Sequence, residues 1–246
     1  MSDDAEIVTI TSKQLITISE VFGPTLQGEG VSQGRPAIFV RLALCNLDCK
    51  WCDTPYTWDW TGKNGYAYSK PLETRRMTTD DLLERISTHA PLVVITGGEP
   101  MLQQRALRVV VRALLDRGQD VEIETNGTIE PHDDWEALPV RFNVSPKLWH
   151  SGVEWDTAIK PYVLRKYKTL GAVLKFVVTG PHCIEQIKLI VEQTGFRKRH
   201  IWLMPEGRTS TEVLDNLQWI FDQAVKHGWN LSTRLHVLAY NDKRGI

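Results

Sequence analysis

Net charge is almost missing from this sequence: 29 Lys and Arg stand against 30 Asp and Glu, a formal balance of −1. Without a basic excess there is no electrostatic case for a nucleic-acid or anionic-membrane partner. Long apolar runs are lacking too, and none approaches the roughly 18 residues that a membrane-crossing helix needs. The opening MSDDAEIVTI is acidic, with neither the basic start nor the apolar core of a secretory signal. These absences set the expectation of a cytoplasmic protein. Cysteine is scarce, at 4 residues in 246, too few for the disulfide framework of a small secreted domain. Internal repeats and low-complexity tracts are absent as well.

What is present follows two periods. Short apolar or β-branched runs at 37–44, 91–96, 121–125, 140–144, 172–178, 200–204 and 231–237 predict strands. Helical spacing lies between several of them. Over 101–117, Leu102, Ala106, Val109, Val110, Ala113 and Leu114 share one helical face, with Gly118 placed to end it. Over 209–227, Leu214, Leu217, Phe221, Ala224 and Val225 form a stripe behind a capping box at Thr209 and Glu212, with Gly228 beyond. Thr78 and Asp81 open a third helix in the same way, and Ile184, Ile187, Ile190 and Val191 mark a fourth. The alternation predicts one α/β domain over 1–246 with a mainly parallel sheet and sites at its C-terminal strand ends. Residues 1–14 read as a polar lead-in. Residues 55–70, with Trp58, Trp60, Tyr66 and Tyr68 among Gly and Lys, read as an irregular excursion.

Three of the cysteines, Cys45, Cys49 and Cys52, crowd into LCNLDCKWCDT at intervals of three and two residues. In a reducing compartment such clustering points to metal or redox chemistry. Zinc would want a fourth ligand and usually a second pair, which is missing. Cys183 stands at a predicted helix start, where a buried structural cysteine is the simpler reading. A dithiol motif at Cys49 and Cys52 would begin a helix without a third cysteine before it. An iron–sulfur cluster suits three thiolates on a compact loop and leaves one iron open to a small molecule.

Other stretches gather around this one. PLVVIT runs into Gly97-Gly98-Glu99-Pro100, where glycines let a ligand approach the backbone, although an ordinary strand-to-helix turn fits as well. Glu122 and Glu124 share one face of VEIET and line either a polar cavity or solvent. Ser145, Pro146 and Lys147 leave the next strand, as a plain turn or as donors to a carboxylate or ribose. Gln27 and Glu29, flanked by Gly28 and Gly30, form a polar loop; with Arg41 it would suit an acidic, nitrogen-rich small molecule.

The cysteine spacing, with Trp51 before the last thiol, resembles the radical S-adenosylmethionine superfamily, as do GGEP and ETNG. In order, FGPTLQGEG, FVRLALCNLDCKWCDT, ITGGEP, ETNGT, NVSPK and RLHVL resemble the 7-carboxy-7-deazaguanine synthases of deazapurine and queuosine biosynthesis, from about Ile16 onward. The resemblance implies an α/β partial (β/α) barrel of mainly parallel strands, radical SAM type, and a homodimer. It implies a 4Fe–4S cluster, S-adenosylmethionine, Mg²⁺, a reductant such as flavodoxin or ferredoxin, and a pterin substrate. By motif, Cys45, Cys49 and Cys52 would hold the cluster. Trp51, Cys52, Asp53, Gly98, Glu99, Glu124 and Ser145-Pro146-Lys147 would meet S-adenosylmethionine. Leu26, Gln27, Gly28, Glu29, Arg41 and Thr96 would meet the pterin, and Thr54 would offer its hydroxyl to Mg²⁺. The reaction implied is a radical ring contraction of 6-carboxy-5,6,7,8-tetrahydropterin with loss of ammonia and S-adenosylmethionine regenerated. Two departures stand out: Leu44 occupies a position where many relatives carry Gly, and the 55–70 excursion differs among relatives. A radical activase of a protein glycine would share the cysteines but leaves QGEG and Arg41 unexplained; a zinc adaptor would leave more unexplained.

Overall fold

The computed structural model describes residues 14–246, so the polar lead-in read at 1–14 lies, but for its last residue, outside the described residues. Strand β1 (Leu15–Leu26) pairs antiparallel with β2 (Pro36–Leu42), and on its other side with β3 (Arg75–Thr78), which follows helix α1 (Lys70–Glu73). The chain then alternates: α2 (Thr79–Arg85), β4 (Leu92–Gly97), α3 (Gln104–Asp116), β5 (Asp120–Thr125), β6 (Arg141–Val144), α4 (Trp155–Ala158) and α5 (Pro161–Thr169). It continues through β7 (Val173–Val178), α6 (Pro181–Thr194), β8 (Ile201–Pro205), α7 (Ser210–Asp215), α8 (Leu217–His227), β9 (Asn230–Leu231) and α9 (Leu235–Tyr240). Among the described residues one nine-stranded sheet runs β3-β1-β2-β4-β5-β6-β7-β8-β9, parallel from β2 to β9. Its ends, β3 and β9, do not pair, so the sheet is open as a partial barrel is.

The strands form where apolar runs are buried on both faces, as parallel strands flanked by helices require. Val93 and Ile95 face the helices with Val110 and Leu114 of α3, and Ile123, Val144, Leu174 and Leu203 continue the same core. Capping boxes at Thr78/Asp81 and Thr209/Glu212 form as their spacing predicts. Gly118 and Gly228 take left-handed φ values of 76° and 68° just past their helices.

Three sequence expectations need correction. β1 is a twelve-residue strand that carries Gly23-Pro24 within it, where the apolar runs predict no strand. The irregularity there is absorbed as a register shift between Phe22 and Thr25 without ending the strand. The predicted strand 231–237 is strand only at its first residue. Arg234 is drawn inward onto Glu29 and the Gly207 carbonyl, and α9 begins at Leu235. The predicted helix over 209–227 breaks at Asn216, and its buried face is Val213, Ile220 and Ala224. Leu214, Phe221 and Val225 are left 54%, 55% and 69% exposed.

Candidate active site

The loop after β2 begins with a strained turn. Leu44 has φ 77°, a left-handed value that costs a residue with a Cβ about 1 kcal/mol or more. Its conformation is held from both sides: its N–H donates to the Thr57 carbonyl at 2.8 Å, and its carbonyl accepts from Glu99 N–H at 2.8 Å. Gly98 has to be glycine here, since a Cβ would lie 2.1 Å from the Leu44 oxygen. The cysteine loop and the end of β4 are thereby pressed together, and Cys45, Cys49 and Cys52 all open onto one cavity of about 770 Å³. Burial pushes the Cys45 thiol up to about 12 and Cys49 to about 11, so they need a metal's positive charge to bind as thiolates. Two of the sulfurs already accept N–H groups: Cys45 from Leu47 N at 3.5 Å and Cys52 from Trp58 Nε1 at 3.3 Å.

The same cavity receives the C-terminal ends of β4 to β8, including Thr96-Gly97-Gly98, Glu124-Thr125-Asn126, Ser145 and Lys147. Trp51 lines it with Asp53 and Thr54, stacked on His150 with centroids 5.3 Å apart. Lys147 Nζ lies 5.3 Å from the centroid of the Trp51 ring and donates to Ser145 Oγ at 3.1 Å. Glu99 does not join them. Its carboxylate is fully buried and accepts from Met101 N at 2.9 Å, Thr125 Oγ1 at 2.7 Å and Asn126 N at 2.7 Å. It braces the strand ends from behind, and burial pushes its carboxyl up. Pro146 is buried behind the cavity wall. Gly28 also lies behind it, where a Cβ would come within 2.1 Å of His236 Nδ1. None of these three residues lines the cavity, where direct contact was the expectation.

Another part of the cavity wall is ionic. Gln27 Nε2 donates to Glu122 Oε1 at 2.7 Å and Glu124 Oε1 at 3.3 Å, while Thr96 Oγ1 donates to Glu124 Oε2 at 2.9 Å. Glu124 thus bonds to the residues read as substrate-side, Gln27 and Thr96. Lys175 Nζ donates to Glu124 Oε1 at 3.3 Å and to Glu29; Arg234 donates to Glu29 Oε1 at 2.8 Å and to Asp53. Burial would raise the Glu29 carboxyl, but Lys175 and Arg234 outweigh it and hold it well below the usual range. Burial likewise opposes the charge on Lys175, and Glu124 with Glu29 overcomes it, so the ammonium stays protonated. Arg41 stands at the rim, paired with Glu20 at 2.8 Å, which also accepts from Tyr56 Oη at 2.9 Å and Arg244 Nε at 3.0 Å. Leu26 lines the cavity mouth.

Sequence reasoning missed Lys175, Arg234, His236 and Trp58. Lys175 carried a signal: a lysine inside the apolar run AVLKFVV must find a carboxylate or stay uncharged. Arg234 was hidden by the strand reading of 231–237.

Residues 41–147 match the radical SAM superfamily. A 7-carboxy-7-deazaguanine synthase from Hyperthermus butylicus is 35% identical over 97% of this chain and 98% of the relative. One from Pyrobaculum aerophilum is 34% identical over 94% of this chain and 97% of its own length. The chain belongs to the 7-carboxy-7-deazaguanine synthase family. A crystal structure of QueE from Escherichia coli agrees, with TM-score 0.70 and 28% identity over 90% of this chain and 95% of that one. The family is one of radical SAM lyases, whose chemistry implies a 4Fe–4S cluster and S-adenosylmethionine. The donor set here fits them: three thiols open on one cavity, N–H groups already aimed at two sulfurs, and a backbone laid bare by glycine at the adjoining strand end.

Proposed function

We propose that this chain converts 6-carboxy-5,6,7,8-tetrahydropterin to 7-carboxy-7-deazaguanine, contracting the ring with loss of ammonia and using S-adenosylmethionine catalytically. The observation that carries this reading is the pairing of a three-thiol wall with a charged hydrogen-bonding wall across one cavity. Cys45, Cys49 and Cys52 would hold the cluster. Trp51, Asp53, Gly98, Ser145 and Lys147 would line the S-adenosylmethionine site; Gln27, Glu29, Glu124, Arg41 and Thr96 would hold the pterin; Thr54 would offer Mg²⁺ its hydroxyl. When bound, the cluster and S-adenosylmethionine supply a hydrogen-abstracting radical, and Mg²⁺ supplies a hard cation for the substrate carboxylate.

The chain's own contribution is placement. Glu124 and Gln27 offer an acceptor beside a donor, suited to the edge of a pterin ring. Lys175, held as a cation between Glu29 and Glu124, fixes the direction of both carboxylates. Arg41 and Arg244, sharing Glu20 at the rim, favour an acidic substrate. Phe22 and Phe39, stacked at 5.1 Å, and Met204 supply apolar wall that keeps water from a radical. We also infer that the chain works as a single domain and a homodimer, in the cytoplasm, with flavodoxin or ferredoxin as reductant. Among the described residues no helix is long and apolar enough to cross a membrane. The test is anaerobic incubation of the reconstituted, reduced protein with S-adenosylmethionine, Mg²⁺ and the pterin, followed by mass spectrometry. Formation of 7-carboxy-7-deazaguanine without net loss of S-adenosylmethionine supports the proposal; cofactor cleavage with the pterin untouched overturns the substrate.

A further inference from the structure

Residues 55–70 form a small structure organised from within. After the turn Pro55–Thr57, the buried Asp59 carboxylate accepts four consecutive backbone N–H groups: Thr61 at 3.3 Å, Gly62 at 2.8 Å, Lys63 at 3.0 Å and Asn64 at 2.8 Å. Asn64 Nδ2 reaches back to the Cys49 carbonyl at 3.1 Å, and Tyr68 N–H closes the far end on the Asp59 carbonyl at 3.0 Å. Trp58, next to Asp59, is fixed by its own backbone, its N–H on the Pro55 carbonyl at 3.0 Å and its carbonyl accepting from Trp60 at 3.1 Å. The outcome is that its indole Nε1 points at Cys52 Sγ, 3.3 Å away.

We propose that Trp58 is a positioning residue that sets the reduction potential of the cluster through Cys52. This inference rests on the reading that the three thiols hold a four-iron cluster. A thiolate bound to iron keeps lone pairs that accept N–H groups. Such a bond stabilises the electron-richer state most, because sulfur then carries more negative charge. Reduction adds one electron from an external one-electron donor to the cluster; no bond to the protein forms or breaks, and the indole proton stays on Trp58. The donor therefore raises the potential relative to the same site without it. Among the described residues the sulfurs of Cys45 and Cys49 have no side-chain N–H donor, so Cys52 is the asymmetric ligand. The Thr54 hydroxyl, 3.7 Å from the same sulfur, is the weaker contact.

The test is an anaerobic redox titration of the reconstituted full chain, with the reduced cluster followed by electron paramagnetic resonance. Wild type is compared with Trp58→Phe and with a chain carrying β-(3-benzothienyl)alanine at position 58, which keeps the shape of indole but replaces its N–H with sulfur. Trp60→Phe, beside Lys70 and away from the cysteines, is the control. Both changes at 58 should move the midpoint to a more negative potential, leaving a smaller reduced fraction at any fixed intermediate potential, with no shift in the control. An isostere chain that titrates like wild type overturns the proposal. So does an isostere chain that is folded by circular dichroism but holds no cluster, since that would assign the N–H to retention instead of tuning. If Trp58→Phe alone fails to assemble, the isostere decides. A wild-type chain without a four-iron signal overturns the cluster reading itself, a distinct result.

Discussion

The two walls of the cavity are built on opposite plans. The sulfur wall comes from Cys45 to Cys52, eight consecutive positions, shaped by backbone hydrogen bonds within the loop and to its neighbours. Burial pushes its thiols above their usual range. The ionic wall joins Glu29, Asp53, Glu124, Lys175 and Arg234, with Arg234 lying 205 positions from Glu29. Its groups are charged and mutually satisfied within the folded chain itself. A local loop waiting for a cofactor therefore contributes little to stability, whereas a long-range ion network ties distant strands together whether or not anything is bound.

The sharpest way to break this contrast is at the sulfur wall. Cys49→Ala should abolish cluster assembly and activity while leaving urea unfolding of the cofactor-free chain within about 1 kcal/mol of wild type. Iron content with electron paramagnetic resonance checks the first, and a persisting four-iron signal would remove Cys49 from the ligand set. Lys175→Met should do the reverse. With Glu124 stripped of its cation and Glu29 left to Arg234 alone, it should cost the cofactor-free chain about 3 kcal/mol in urea unfolding; a loss under about 1 kcal/mol would mean that the network does not bind the strands. Arg41→Ala should raise the KM for pterin roughly 10-fold, the size of one lost charge-assisted hydrogen bond, with that for S-adenosylmethionine little changed. Equal changes in both would take Arg41 out of the substrate site. Thr54→Ala should blunt Mg²⁺ stimulation a few-fold with the cluster spectrum intact; unaltered stimulation would end the metal assignment.

The smallest effect is a pH dependence. Burial, with Lys147 adding to it, pushes His150 down from 6.5 to about 4. Between those values the unfolded chain takes up a proton that the folded chain refuses, so stability falls as pH drops from about 6.5 towards 4. His150→Phe should narrow the difference in thermal midpoint between pH 7.5 and pH 5, read on cofactor-free protein. An unchanged difference would place the sensitivity elsewhere.

The same contrast explains what could be read in advance. The cysteine triplet, GGEP, ETNG and the capping boxes are short-range patterns whose meaning lies within a few residues, and their positions in space follow from the strand ends. Lys175 and Arg234 acquire meaning only from partners in other strands, and nothing beside them in the chain names Glu29. Glu99 shows the opposite hazard: its motif was legible but its carboxylate turns inward, because Met101, Thr125 and Asn126 offer donors on that side. Residues 55–70 were recognised as irregular, yet the four N–H groups converging on Asp59 leave no periodic trace. The helix stripe at 214–225 left out Val213 and Ile220, which with Ala224 make the buried face on either side of the break at Asn216.

The ion pair between Arg234 and Asp53 also has a consequence in the order of synthesis. A chain emerges from its N-terminus, and Arg234 follows Asp53 by 181 positions. At ordinary translation speeds that is an interval of roughly 10–40 s. Throughout it the cysteine loop exists while the arginine that spans Glu29 and Asp53 has yet to be made. The nascent protein therefore passes through a stage at which its thiols have been synthesised and its ionic wall is unfinished.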